Sequence, residues 1–233
     1  MTTTDPGEWR PRPAGSPVPE PWPQRHLVLR TPRLELRPDD DASLLELVAL
    51  AHTGIHPAEK MPFQQAWTDA EPAYLGRGML QHFWSERAAV GPDRWSLHFV
   101  VRHDGAVAGV QSLTASRFGV LRDVATGSYL GRPFQSRGLG TEMRAAVLAF
   151  AFDHLGATSA RSEYLEGSVA SCRISERLGY RRDGTARVAP RGEPVVQQRV
   201  VLDPSGFIRP SWTLQVEGYS SDLAGLLTAT PPA

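Results

Sequence analysis

Cysteine is nearly absent: Cys172 is the one thiol in 233 residues. No intrachain disulfide can form, which suits a reducing compartment. Net charge is absent as well, because 25 Lys and Arg balance 25 Asp and Glu. Such a chain lacks the basic field of a general nucleic-acid binder, so no nucleic-acid partner is expected. No apolar run approaches the ~20 residues that cross a bilayer, so no membrane partner is expected either. The first 26 residues carry seven of the 20 prolines and lack the apolar stretch of a secretory signal. The expectation is a cytoplasmic protein. No His, Cys, Asp or Glu cluster has metal-ligand spacing, and no metal is expected.

What is present divides into three parts. Residues 1–26 read as a proline-rich extended arm, with Trp9 and Trp22 able to pin it to the body. Residues 27–216 read as one domain and residues 217–233 as a tail. Leu34 and Leu36 alternate with Glu35 and Arg37 in a strand. An Asp near residue 40 or Ser43 caps a helix that Gly54 closes. A loop over residues 55–68 precedes a second helix with Leu75, Met79, Leu80 and Phe83 inward. Asp104-Gly105 turns a hairpin. A further strand, a long apolar helix ending near Gly156, a strand, a short helix ending at Gly179 and two closing strands follow. This order predicts an α/β (α+β) fold, with a central mixed, mostly antiparallel sheet flanked by helices on both faces.

The informative stretch is Gln135-Ser136-Arg137-Gly138-Leu139-Gly140-Thr141, where a strand leads into a helix. A helix N-terminus presents unpaired N–H groups and partial positive charge. Without side chains at 138 and 140, an anion can approach those groups closely. Arg132, Arg137 and Arg144 add cations nearby. The pattern lacks the lysine of a P-loop and the third glycine of a dinucleotide fold. It predicts a diphosphate site, while the same glycines also suit a tight turn.

The Q-x-x-G-x-G turn, "GSYLGRPFQSRGLGTEMRAAVLAFAF" and "EGSVASCRISERLGYRRDG" together resemble the GNAT superfamily of acyl-CoA-dependent N-acyltransferases, over residues 27–202. "TPRLELRPDD" and the "ERLGY" helix are similar to the RimJ/RimL-type branch. "HPAEKMPFQQAWT" with "GTEMRAAVLAFAF" resembles actinobacterial members that include a succinyl-CoA transferase. The resemblance implies acetyl-CoA or succinyl-CoA as co-substrate. It implies a splayed strand at Tyr129, Leu130 and Gly131 that pairs with pantetheine, and N–H groups near Leu130 that polarise the thioester. It places Gln135, Arg137, Gly138, Leu139, Gly140 and Thr141 around the pyrophosphate, with Ser168 and Arg173 further along the cofactor. Ser171 corresponds to the proposed acid for the leaving thiolate, and Ser175 stands where other members carry a tyrosine. Family habit also implies a homodimer.

The general base is where the chain departs from its relatives: their glutamate is Ala125 here. Asp123, on the same strand face, and Glu193 are the leading candidates, with Glu163 and His56 further options. An alkyl amine is only about one part in 10³ neutral at pH 7, whereas an amine of pKa near 8 needs little help. The absent carboxylate therefore favours a weakly basic amine. The resemblance places the loop with His56, Met61, Phe63 and Trp67 over the acceptor end, an apolar wall with one polar handle. The expected reaction is direct acyl transfer to the primary amine of a small molecule. A protein N-terminus as acceptor, or a non-catalytic acyl-CoA sensor, are the alternatives.

Overall fold

The computed structural model describes residues 18–229. The chain opens with a hairpin, β1 (Val28–Arg30) and β2 (Leu34–Pro38), where the alternation predicts a single strand. Two helices follow, α1 (Asp41–His52) and α2 (Pro72–Ala88), then the long hairpin β3 (Arg94–His103) and β4 (Ala106–Ser116). A one-turn helix, α3 (Phe118–Leu121), leads into β5 (Asp123–Leu130), α4 (Leu139–Asp153) and β6 (Ser159–Leu165). The chain continues through α5 (Val169–Leu178), β7 (Arg181–Val188), β8 (Val195–Leu202), β9 (Gln215–Glu217) and α6 (Ser221–Leu226). Asp40 caps α1, its carboxylate accepting the Ser43 N–H at 2.8 Å.

The nine strands form one mixed sheet in the order β7-β8-β6-β5-β4-β3-β2-β1-β9. Its parallel pair is β5–β6, and the other neighbours run antiparallel. β3 is buried on both faces: Trp95, Leu97, Phe99 and Val101 line one, and buried Ser96 and His98 with Val100 line the other. Phe99 and Val101 face the core shared with α4, while Val100 faces the one shared with α1 and α2. α4 is buried almost from end to end, because it lies under the sheet with α3, α5 and the C-terminal segments around it. Each fully buried side chain such as Leu139 or Phe150 contributes about 1.5–3 kcal/mol.

Both ends of the described chain pack on the body. Pro23–His26 forms a 3-10 turn with Gln24 buried, and the Glu20 N–H bonds Asp222, so residues 18–26 lie packed on the body. Trp9 lies outside the described residues. Beyond residue 216 the chain finishes β9 and forms α6, whose Leu223 is fully buried, while the Trp95 indole N–H donates to the Leu227 carbonyl at 3.0 Å. Leu223 and Leu227 thus join the core cluster. Small apolar residues spaced for one short helix give little periodicity to read.

The wedge that positions the site comes from β5 and β6. They pair only at Asp123↔Ser159, Val124↔Ala160 and Ala125↔Arg161. Ser162 Oγ donates to the Thr126 carbonyl at 3.1 Å and closes the apex. Beyond it the strands part, leaving the β5 edge over residues 127–130 without a strand partner on the β6 side.

Candidate active site

Gly138 forms the N-cap of α4 at φ 79°, in the left-handed region that favours glycine. No side chain caps this helix, and the first helical bond runs from Glu142 N–H to the Gly138 carbonyl at 3.2 Å. The N–H groups of residues 138–141 therefore project from the helix end without intrahelical partners. At Gly140 a Cβ would lie 3.0 Å from Ile174 Cδ1, so a side chain there would press on α5. Leu139 is fully buried and offers only its backbone, and Thr141 is half-buried.

The cations at this turn are not the predicted set. Arg33, from the β1–β2 turn, reaches to 3.4 Å from the place a Gly138 Cβ would occupy. It pairs with buried Glu142 at 2.5 Å and donates to the Arg137 carbonyl at 3.0 Å. Glu142 also accepts from Thr31 Oγ1 at 2.6 Å. Its charge, otherwise unfavourable beside an anion, is thereby offset by a guanidinium at the helix end. Arg137 turns its guanidinium to His103 Nε2 at 3.0 Å. Gln135 Nε2 donates to the Leu130 and Ile55 carbonyls, each at 2.7 Å, so its side chain braces the loop and only its backbone faces the turn. Arg132 lays its stem along Gly54.

Arg144 is further from expectation. It is buried, donating to Ser175 Oγ at 3.2 Å and Ser128 Oγ at 3.4 Å, with Nε unpartnered. It sits between α4, α5 and β5, away from the solvent-exposed turn. Burial pulls its pKa below the usual arginine range. On α5, Ser171 is half-buried and its hydroxyl makes no hydrogen bond among the described residues, while its carbonyl accepts from Ser175 Oγ at 3.0 Å. Ser168 is the N-cap of α5 with its side chain unused for capping, and Arg173 is exposed.

Across β5 lies a second surface. Tyr129 follows Ser128 and faces the opposite side of the strand. Its ring stands 5.3 Å from Trp67 and 6.1 Å from Phe63, which are 5.2 Å apart, with His56 5.6 Å from Phe63. The Tyr129 hydroxyl is buried without a partner, and burial pushes its pKa well above the usual tyrosine range. His56 Nδ1 lies 2.9 Å from the Pro57 carbonyl and Nε2 2.7 Å from Thr68 Oγ1. A carbonyl only accepts, so Nδ1 carries the proton and Nε2 accepts from the threonine. Met61 is half-buried in the same loop. Gln64 donates to Glu163 on β6, and Arg191 in the β7–β8 loop holds both oxygens of Asp69 at 2.7 Å.

The structure therefore brings Glu163, Glu193's loop and residues 55–68 to one mouth. Glu193 is exposed and makes no hydrogen bond or ion pair among the described residues. Asp123 accepts from Ser159 Oγ and from Arg161 Nε at 2.6 Å, and Arg161 also bonds Asp183 at 2.6 Å. Asp123 thus belongs to an ion network at the closed end of the wedge. Among the described residues no three His, Cys, Asp or Glu group to hold a metal, and no helix is long and apolar enough to cross a membrane.

A parted parallel strand pair thus stands beside an uncapped, glycine-opened helix end. Residues 27–181 match the acetyltransferase (GNAT) domain family, and the chain belongs to it. Among solved structures, Mycobacterium smegmatis RimJ in complex with CoA-disulfide is 17% identical over 78% of this chain and 90% of its own, with a TM-score of 0.64. A GCN5-related N-acetyltransferase from Brucella melitensis is 22% identical over 81% and 83%, with a TM-score of 0.62. RimL, a ribosomal L7/L12 alpha-N-protein acetyltransferase in complex with coenzyme A, is 13% identical over 74% and 95%, with a TM-score of 0.59. At these identities the likeness carries the fold: a mixed sheet of the GNAT type flanked by helices.

Proposed function

We propose that this chain transfers an acetyl group from acetyl-CoA to the primary amine of a small molecule with an apolar body and a weakly basic nitrogen. The observation that carries this reading is the pairing of two surfaces across β5. On one side stands the uncapped α4 N-terminus with Arg33. On the other stands the Phe63, Trp67 and Tyr129 pocket, where the nearby carboxylates Glu163 and Asp69 are already bonded. An alkylammonium entering that pocket would find Glu193, exposed in the loop at its mouth, as the one unpaired carboxylate of these three. A neutral amine fits it, and the orphaned Tyr129 hydroxyl supplies a bond to the nitrogen or its neighbour.

In the proposed reaction, N–H groups of residues 138–141 and Arg33 bind the diphosphate, and pantetheine pairs with the free edge of β5. The amine attacks the thioester carbonyl from the aromatic side. Its proton leaves through water or Glu193, the base candidate without a partner, and Ser171 returns a proton to sulfur. Thiol release decides the matter, with acetyl-CoA and succinyl-CoA each offered to aryl amines, polyamines, amino acids and peptides. Fastest release with acetyl-CoA and an aryl or other weakly basic small amine supports the proposal. A protein N-terminus is the second reading, since an α-amine is also weakly basic and RimL acts on one. Faster release with peptides would favour it. Tight CoA binding with no release for any acceptor would make the chain a sensor.

A further inference from the structure

Arg144 presents a problem that neither packing nor the phosphate site resolves. Its side chain is 4% exposed, and among the described residues it has no carboxylate partner. Its contacts are two serine hydroxyls at 3.2 and 3.4 Å, and Nε has none. A buried cation with so little compensation is costly, and an apolar residue of similar volume commonly stabilises such a site. The charges near it lie elsewhere. Glu142, two residues away on α4, faces Arg33 and Thr31, while Glu176 on α5 is exposed beside Cys172. Tyr180, ahead of β7, is the titratable group beside Arg144, and its hydroxyl lies 3.3 Å from Thr126 Oγ1.

Its position in the wedge indicates what anion it meets. A pantetheine arm starting at the α4 N-terminus and pairing with residues 127–130 carries its sulfur toward the apex at Thr126. Ser128, which Arg144 contacts, is two residues short of that apex and points to the helix side. Tyr129 points to the aromatic pocket on the opposite side, from which an amine reaches the carbonyl carbon. The departing sulfur is then on the Arg144 side. The far end of an acyl chain is on the other.

We propose that Arg144 is a catalytic residue that holds the CoA thiolate as it departs, an inference that rests on the acyl-transfer reading above. The nitrogen forms its bond to the carbonyl carbon and gives one proton to water. The C–S bond then breaks with its electron pair passing to sulfur, and the guanidinium N–H groups, Nε included, donate hydrogen bonds to the resulting anion. Ser171, one turn before Ser175, delivers the later proton to sulfur and regains its own from water. The short Ser175 leaves the space that the guanidinium fills.

The test compares binding of CoA with that of desulfo-CoA, which lacks the sulfur, from pH 7 to pH 9 by calorimetry. For the unaltered protein, CoA affinity should gain at least about tenfold over desulfo-CoA across that range, because the bound thiol ionises at lower pH than the free one. Arg144→Lys should keep most of the gain, and Arg144→Met should lose it while binding desulfo-CoA as before. A flat ratio in the unaltered protein overturns the proposal, whether or not the Met variant folds. So does an undiminished gain in a folded Met variant, or a Met variant whose single defect is a loss of succinyl-CoA relative to acetyl-CoA. Failure of both ligands to bind overturns the phosphate site beneath it.

Discussion

Arg191 closes over Asp69 with two bonds of 2.7 Å, and so ties the β7–β8 loop to the loop that carries Phe63 and Trp67. Residues more than a hundred apart in sequence thereby close over the aromatic cluster proposed as the acceptor end. The pair is solvent-exposed, so its contribution to stability is small. Its contribution to the pocket's shape is the larger effect. Arg191→Ala should raise the acceptor KM several-fold with little change in melting temperature or in CoA affinity. Steady-state kinetics with each substrate varied separately will show this, and an unchanged acceptor KM would remove the loop pair from the site.

Gly138 is constrained twice, by its positive φ and by the anion expected at its N–H. Gly138→Asp places a carboxylate where phosphate charge should sit and should reduce CoA affinity by at least about 100-fold, the loss of charged hydrogen bonds worth about 1.5–3 kcal/mol each. Gly138→Ala, which adds backbone strain without charge, separates the two causes. Equal losses in the two variants would point to strain alone. Circular dichroism shows whether each variant is folded.

Ser171 has a free hydroxyl on the first turns of α5 and no structural bond to lose. Ser171→Ala should lower kcat about 10-fold or more and leave CoA affinity and stability unchanged. A variant with unchanged kcat would reassign sulfur protonation to solvent.

His98 makes stability depend on acid. It is buried against Phe83 and His82 with Nδ1 2.7 Å from Ser112 Oγ, and burial, with His82, lowers its pKa to about 4. A histidine depressed from 6.5 to about 4 is neutral in the fold but protonated when unfolded between those values. Its stability contribution is full above pH 6.5 and is lost as pH falls toward 4, by about 3 kcal/mol. Asp39, raised to about 6 by burial despite Arg87, acts in the opposite direction between its ordinary value of 3.8 and 6. The difference between the unaltered protein and His98→Gln isolates the histidine. Denaturant melts across pH should give a steeper acid loss for the unaltered protein, and parallel profiles would contradict the assignment.

Much of the candidate site's geometry was legible because it is backbone geometry. Gly138 and Gly140 at a strand-to-helix junction mark an open helix end whatever surrounds them. The residues around that end were less legible. Arg33 is far from Gly138 in sequence and reaches it only because Glu142 draws the β1–β2 turn against α4. Arg144 follows Gly140 by one turn, which suggests a cation at the phosphate. Because α4 is buried all round, that same spacing instead points it at Ser175. Gly140 one turn before Arg144 on α4, facing Ser171 one turn before Ser175 on α5, was the signal that a polar seam joins the two helices. Gln135 shows the reverse case, a motif residue whose side chain holds the loop through Ile55 and Leu130. Asp123 shares a strand face with Ala125, but its partner Arg161 comes from β6 and sequence spacing does not reveal it.

The most direct measurement is calorimetric titration with CoA beside pantetheine, which lacks the diphosphate. Saturable heat with CoA and binding at least about 100-fold weaker for pantetheine is the result predicted for peptide N–H groups gripping the diphosphate. No heat with CoA on folded protein, or equal affinities for the two, would contradict it.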